Sequence, residues 1–188
     1  MNPAPNLVLV GPMGAGKSSI GRRLATRFGL AFVDADREVE ARTGASIPTI
    51  FECEGEAGFR ARESATLADL LQREGLVIAT GGGAVLDAAS RQRMRDRGFV
   101  VHLQVGLARQ LERLARDRTR PLLAGDDRAD VLRRLSEARA PLYAEVADLC
   151  FDTNSLFPPQ ATEQLARLLH AQWTRATPAR TDPQESPA

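Results

Sequence analysis

Gly11-Pro-Met-Gly-Ala-Gly-Lys-Ser18 is the stretch whose reading decides the fold. It fits G-x-x-x-x-G-K-[ST], the phosphate-binding loop. Leu7-Val-Leu-Val10 before it is an apolar run of strand length. After it, Ile20, Leu24 and Phe28 recur every fourth residue, the spacing of one buried helix face, and Arg22, Arg23 and Arg27 fall outside that stripe. Glycines at 11, 14 and 16 let the backbone approach a phosphate with no Cβ in the way. The helix that follows aims N–H groups and a positive dipole end at the anion. Lys17 reaches the β- and γ-phosphates, and the Ser18 hydroxyl is placed to ligate Mg²⁺. The competing reading is a chance Gly-rich turn. At average glycine usage such a match arises in about one chain of this length in a hundred, and the flanking strand and helix count against it.

The composition sets the frame. At 188 residues the chain is read as one domain, large enough for a proper core. A formal net charge of +1 argues against a protein that coats nucleic acid. No apolar run approaches the ~18 residues needed to cross a bilayer, and Met1 to Asn6 lacks the basic and apolar regions of a signal peptide. Cys53 and Cys150 have no metal-ligand spacing and fit a reducing cytosol, so a cytoplasmic protein is expected. Lys17 is the only lysine, and every other long cation is arginine. A bias towards arginine stopped where a compact ammonium must enter a tight phosphate cradle.

Along the chain, residues 1–6 read as a short mobile lead-in. Gly29 stops the first helix, and Leu30-Ala-Phe-Val33 reads as a second strand ending on Asp34-Ala-Asp36. In an open parallel sheet, ligands sit outside the carboxyl ends of the strands, which would put both carboxylates in the crevice of the phosphate loop. There a carboxylate can orient the metal's water or accept a proton from an attacking hydroxyl. The alternative is that Asp34 or Asp36 caps a helix starting near Arg37. Residues 37–73 read as broken helix, too much for a simple crossover, and therefore as a substrate-holding excursion. Arg60 and Glu63 have the spacing of a helical ion pair, while Arg60 could equally grip an anionic group as a planar fork. Leu76 to Thr80 is a third strand running into Gly81-Gly-Gly83, glycines that suit close approach of a ligand.

Asp87 to Arg97 reads as a solvated polar helix and Phe99 to Leu103 as a fourth strand, with His102 a core or edge histidine. Leu107 to Arg120 is an arginine-rich helix breaking at Arg120-Pro121. With the loop after it, it would suit a lid whose arginines arrive on closure. Val131 to Arg139 reads as a helix stopped before Ala140-Pro141, where Arg139 could complement the C-terminal dipole. Ala147 to Phe151 is a fifth strand, Ala161 to Trp173 a closing amphipathic helix, and the tail from Thr174 should be disordered. There is no internal repeat.

Taken together, G-P-M-G-A-G-K-S-S-I-G-R, D-A-D, F-E-C-E-G-E-A-G-F-R, A-T-G-G-G, R-P-L-L and R-A-P-L-Y resemble the shikimate kinases, of the nucleoside-monophosphate-kinase-like branch of phosphate-loop proteins. The resemblance implies an α/β three-layer sandwich around a five-stranded parallel sheet of order 2-3-1-4-5. It implies a single domain over 1–174, a substrate subdomain near 35–63, a lid near 113–127 and a tail over 175–188. The implied reaction is phosphorylation of shikimate at its 3-hydroxyl by MgATP, on the route to chorismate and aromatic amino acids. By position, Gly14, Ala15, Gly16, Lys17, Ser18 and Ser19 would hold ATP phosphates, with Ser18 also on Mg²⁺. Asp34 would be the base or hydroxyl-orienting group. Asp36, Arg60, Gly81, Gly82 and Arg139 would hold shikimate, the two arginines on its carboxylate. Arg120 would serve the transferring phosphate, Arg113 would lie against adenine, and Pro158 would stand in the adenine-side loop. The sequence departs from the family pattern at Leu156, where some relatives carry arginine, and at Thr49, where an acidic residue is common.

Phosphoryl transfer asks mainly for positioning and charge neutralisation, with water kept out. Three alternatives stand beside this reading. A gluconate kinase would share the loop but not the F-R, G-G-G and R-P-L-L set. A GTPase would carry N-K-x-D, which is absent. A non-catalytic nucleotide-binding descendant would have lost Lys17, Asp34 or Arg120, all of which are present. A monomer is the default expectation.

Overall fold

The computed structural model describes residues 2–115 and 127–175. In chain order the elements are β1 (Asn2–Ala4), β2 (Asn6–Val10), α1 (Lys17–Phe28), β3 (Ala31–Asp34), α2 (Ala35–Thr43), α3 (Ile47–Gln72), β4 (Leu76–Ala79), a 3₁₀ turn (Ala84–Leu86), α4 (Ala88–Arg97), β5 (Gly98–Gln104), α5 (Leu107–Leu114), α6 (Arg128–Val146), β6 (Leu149–Asp152), α7 (Pro158–Gln172) and β7 (Trp173–Arg175). The main sheet is parallel with order β3-β4-β2-β5-β6. Counting only its own strands, that is the expected 2-3-1-4-5.

The sheet is buried on both faces, so its strands are continuous apolar runs rather than alternating ones. Side chains still alternate in direction. Leu7 and Leu9 of β2 join Val77, Phe99, Val101 and Leu103 under α1 and α7, where Ile20, Leu24, Leu165 and Leu169 fill the layer. Val8 and Val10 join Ile78 and Val100 on the other face, under Leu67, Leu70 and Leu71 of α3, Met94 of α4, and Tyr143 and Val146 of α6. A smaller cluster of Val39, Ile50 and Phe59 holds α2 against α3. In α3 the helix kinks at Gly55, whose φ of +70° favours glycine.

Three expectations are corrected. The helix expected to stop before Pro141 runs through it to Val146. Proline removes a helical hydrogen bond and crowds a carbonyl, at about 3 kcal/mol. Glu137, whose carbonyl loses that bond, is exposed to water, and Tyr143 and Val146 beyond the proline are both 2% exposed. Burying such side chains stabilises by roughly 2 kcal/mol each, enough to carry the helix on. Arg139 therefore lies mid-helix, and its C-terminal dipole reading falls. The lead-in is not a loose end: β1 pairs in parallel with β7, with Asn2 opposite Trp173 and Ala4 opposite Arg175, and the Trp173 indole Nε1 donates to the Ala4 carbonyl at 3.0 Å. The ordered chain thus extends past Thr174, with Trp173 in a strand instead of the last helix. The expected tail from 176 onward, and most of the expected lid including Arg120, lie outside the described residues.

Candidate active site

The carboxyl ends of β2, β3 and β4 share one edge of the sheet, so the phosphate loop, Asp34 and Gly81–Gly83 are brought to one rim by topology. The turn out of β2 is tight. Gly11 has φ +140°, and a Cβ there would lie 2.3 Å from the Leu103 carbonyl oxygen of β5; only glycine passes this strand. Lys17 Nζ donates to the carbonyls of Gly11 at 2.7 Å and Pro12 at 2.9 Å, which holds the ammonium over the loop. Gly16, in the left-handed region at φ +93°, precedes the first turn of α1, whose N–H groups have no earlier turn to supply acceptors.

Ser18 Oγ donates to Asp34 Oδ2 at 2.6 Å. Asp34 also accepts from the Arg37 N–H at 3.4 Å as the N-cap of α2. The capping reading of Asp34 is realised through Oδ1, while Oδ2 faces Ser18 and the side chain lines the cleft. Two hard oxygens from different elements in hydrogen-bond contact fit Mg²⁺, which takes one or two protein oxygens and completes its shell with phosphate and water. Among the described residues no group of three or more His, Cys, Asp or Glu side chains could hold a metal alone.

Arg60 and Arg139 reach the same cleft from α3 and α6. Arg60 donates to Glu63 at 2.6 Å and to Glu56 at 3.0 Å, so the helical ion pair exists. The guanidinium also lies against the Gly83 backbone, where a Cβ would sit 2.3 Å from Arg60 Nη1. Glu63 is 3% exposed, and its Oε1 has no hydrogen-bond partner among the described residues. Burial pushes the Glu63 carboxyl above its ordinary value, and the neighbouring Arg60 charge offsets part of that rise. Arg139 is 5% exposed and lines the cleft. Behind it, the Tyr143 hydroxyl donates to the Gly82 carbonyl at 2.5 Å, and burial pushes the phenol up to about 12. The His102 ring stacks on Tyr143 with centroids 4.8 Å apart.

One cleft of about 710 Å³ is lined by Gly14, Gly16, Lys17, Ser18, Ser19, Asp34, Asp36, Arg60, Gly81, Gly82 and Arg139, together with Glu63, Phe51 and Phe59. Ala15 is buried beneath the loop. Arg113 does not line this cleft; it donates to the carbonyls of Gly14 at 2.8 Å and Thr153 at 2.6 Å, tying the phosphate loop to the segment between β6 and α7, which Pro158 closes as the first residue of α7. Phe59, Glu63, Tyr143 and His102 are not singled out as site residues by the sequence. Three of them stand inside quoted motifs or beside them, F-R with its nearby Glu and R-A-P-L-Y. The fourth, His102, carried no signal beyond a polar residue in an apolar run.

A family model described as shikimate kinase matches residues 13–170. A shikimate kinase of Xanthomonas campestris pv. campestris is 58% identical over 180 residues, covering 95% of this chain and 100% of the relative. The structure of a shikimate kinase from Acinetobacter baumannii in complex with shikimate superposes with a TM-score of 0.87 at 45% identity, over 90% of this chain and 95% of that one. A shikimate kinase structure from Bacteroides thetaiotaomicron gives 0.81 at 32% identity, over 88% and 97%. A phosphate loop that faces a carboxylate-and-arginine cleft on a 2-3-1-4-5 sheet, with relatives this near over nearly its whole length, leaves one conclusion: this chain belongs to the shikimate kinase family.

Proposed function

We propose that the protein transfers the γ-phosphoryl group of ATP to the 3-hydroxyl of shikimate, giving shikimate 3-phosphate and ADP on the route to chorismate and the aromatic amino acids. The observation that carries this reading is the meeting of Lys17 and Ser18 with Asp34, Arg60 and Arg139 in one cleft. The backbone from Gly14 to Ser19 and the Lys17 ammonium bind the ATP phosphates. Arg60, paired with Glu63 and Glu56, and the buried Arg139 are the cations that bind the acceptor's carboxylate. Asp36, Gly81 and Gly82 hold its remaining hydroxyls. Asp34 orients the attacking hydroxyl, and can receive its proton, from a strand end that already carries one hydrogen bond from Ser18. Ser18, with Asp34 beside it, would hold Mg²⁺, which supplies charge neutralisation at the transferring phosphate. Arg120 is assigned to the same charge, Arg113 and Pro158 to the adenine side, and residues 35–63 to the acceptor. The protein is taken to act as a cytoplasmic monomer.

The test is an ADP-release assay with MgATP and shikimate, gluconate or no acceptor, with the phosphorylated product identified by mass and NMR. Turnover with shikimate alone, phosphorylated at the 3-position, is expected. Equal turnover with gluconate, or ADP release that ignores the acceptor, would refute the assignment.

A further inference from the structure

We propose that Tyr143, backed by the ring of His102, is a positioning residue that fixes Gly82 and Arg139 in register with the phosphate loop. The inference rests on the acceptor reading of those two residues. Tyr143 follows Arg139 by four residues on α6, so both project from one face of the helix. The phenol oxygen donates to the Gly82 carbonyl at 2.5 Å, and the Arg139 charge acts on the same phenol. The phenol therefore ties the glycine loop after β4 to α6, one helical turn beyond Arg139. Gly82 itself stands close to the donor side: a Cβ there would lie 3.5 Å from Arg139 Nη1, 3.6 Å from the Gly11 carbonyl oxygen and 3.7 Å from the Tyr143 oxygen. The Gly11 carbonyl is the acceptor of Lys17 Nζ.

His102 is what keeps the phenol there. It is 8% exposed, its Nδ1 has no hydrogen-bond partner among the described residues, and it presents its flat face to Tyr143 at 4.8 Å with 28° between the planes. A buried imidazole held by stacking serves as a wall, and the strand that carries it pairs residue for residue with β2, His102 opposite Val10. Val10 leads directly into Gly11. The phosphate-loop entry, β5 and the stacked rings thus form one continuous run of contacts that reaches the acceptor loop. A phenol held up to about 12 by burial stays protonated throughout the working range, so it remains a donor to Gly82.

Tyr143→Phe removes one oxygen and keeps the ring. Calorimetric titration of the full chain should show shikimate binding weakened about tenfold, the range of one lost buried hydrogen bond, with MgADP binding unchanged within twofold. In steady state the shikimate KM should rise by a similar factor while kcat changes less than threefold. Hydrogen–deuterium exchange of a peptide covering 80–86 should speed at least fivefold in the ligand-free protein, with a peptide covering 11–20 unchanged. His102→Leu, which leaves the phenol but removes its stacked partner, should give the same pattern more weakly. Shikimate affinity within twofold of wild type, equal loss of MgADP, or unaltered exchange at 80–86 would each overturn the proposal. Failure of the wild-type protein to bind shikimate would overturn the functional reading instead, and the ligand-free exchange then decides the positioning role by itself.

Discussion

His102 offers a stability test whose sign and size follow from its surroundings. An ordinary histidine titrates near 6.5; here burial first, and the Lys17 charge second, push the ring down to about 4. Between those two values the unfolded chain binds a proton that the folded chain refuses, so folding stability falls as pH drops through that window. From pH 7 to pH 5 the full shift corresponds to roughly 2 kcal/mol of lost stability. Screening beside a wet, charged cleft halves that to about 1 kcal/mol. Glu63 acts in the opposite direction, since its raised carboxyl takes up a proton in the folded state before the unfolded one. The measurement must therefore be a difference: urea unfolding at pH 7 and pH 5 of the wild type and of His102→Phe, which keeps a flat ring and cannot titrate. The wild type should lose about 1 kcal/mol more than the variant. The chain has two histidines, so an NMR titration reads the group directly and should find one of them still neutral at pH 5. Equal acid losses in the two proteins, or His102 titrating near 6.5, would refute the account of a ring kept neutral by burial and Lys17.

Gly83→Ala tests how tightly Arg60 is seated. Its φ of −101° suits any residue, so the new Cβ, 2.3 Å from Arg60 Nη1, should displace the guanidinium instead of straining the backbone. The shikimate KM should rise tenfold or more with Tm nearly unchanged, and an unaltered KM would show that the guanidinium is free to relocate. Arg60→Ala and Arg139→Ala should each weaken shikimate by roughly 10²-fold, the worth of a charged bidentate contact, while sparing MgADP; equal losses for both ligands in titration calorimetry would contradict the carboxylate assignment. Arg120→Ala should lower kcat by roughly 10²-fold with smaller changes in either KM, and normal turnover would remove it from the transferring phosphate.

What could be read from the residues alone follows the range of the physics involved. The phosphate loop is contiguous, and its strand, glycines, lysine and helix act on one another within a few residues, so Lys17, Ser18 and the central strand were legible at once. Asp34 was legible in part: its place at a strand end pointed to the crevice and its place before Arg37 to a cap, and in the structure one carboxylate oxygen caps α2 while the other meets Ser18 at the cleft. Arg139 was legible as a motif residue only. Its true setting depends on α6 continuing past Pro141, which no local rule favours, because the stabilisation comes from Tyr143 and Val146 packing on β-strands far away in sequence. The pairing of β1 with β7 was hidden for the same reason, since three-residue strands show no periodicity and their partner lies at the other end of the chain. His102 reads in the sequence as a core or edge histidine and is buried, yet the stack on Tyr143 joins residues from β5 and α6 that no spacing relates. The groups assigned to phosphate therefore sit where local sequence speaks most clearly, and the groups around the arginines assigned to the acceptor are set by distant packing. Changes in the acceptor half should accordingly be the more sensitive to core substitutions under α6, because Arg139 and Tyr143 inherit their positions from a helix that tertiary burial, not local propensity, keeps intact.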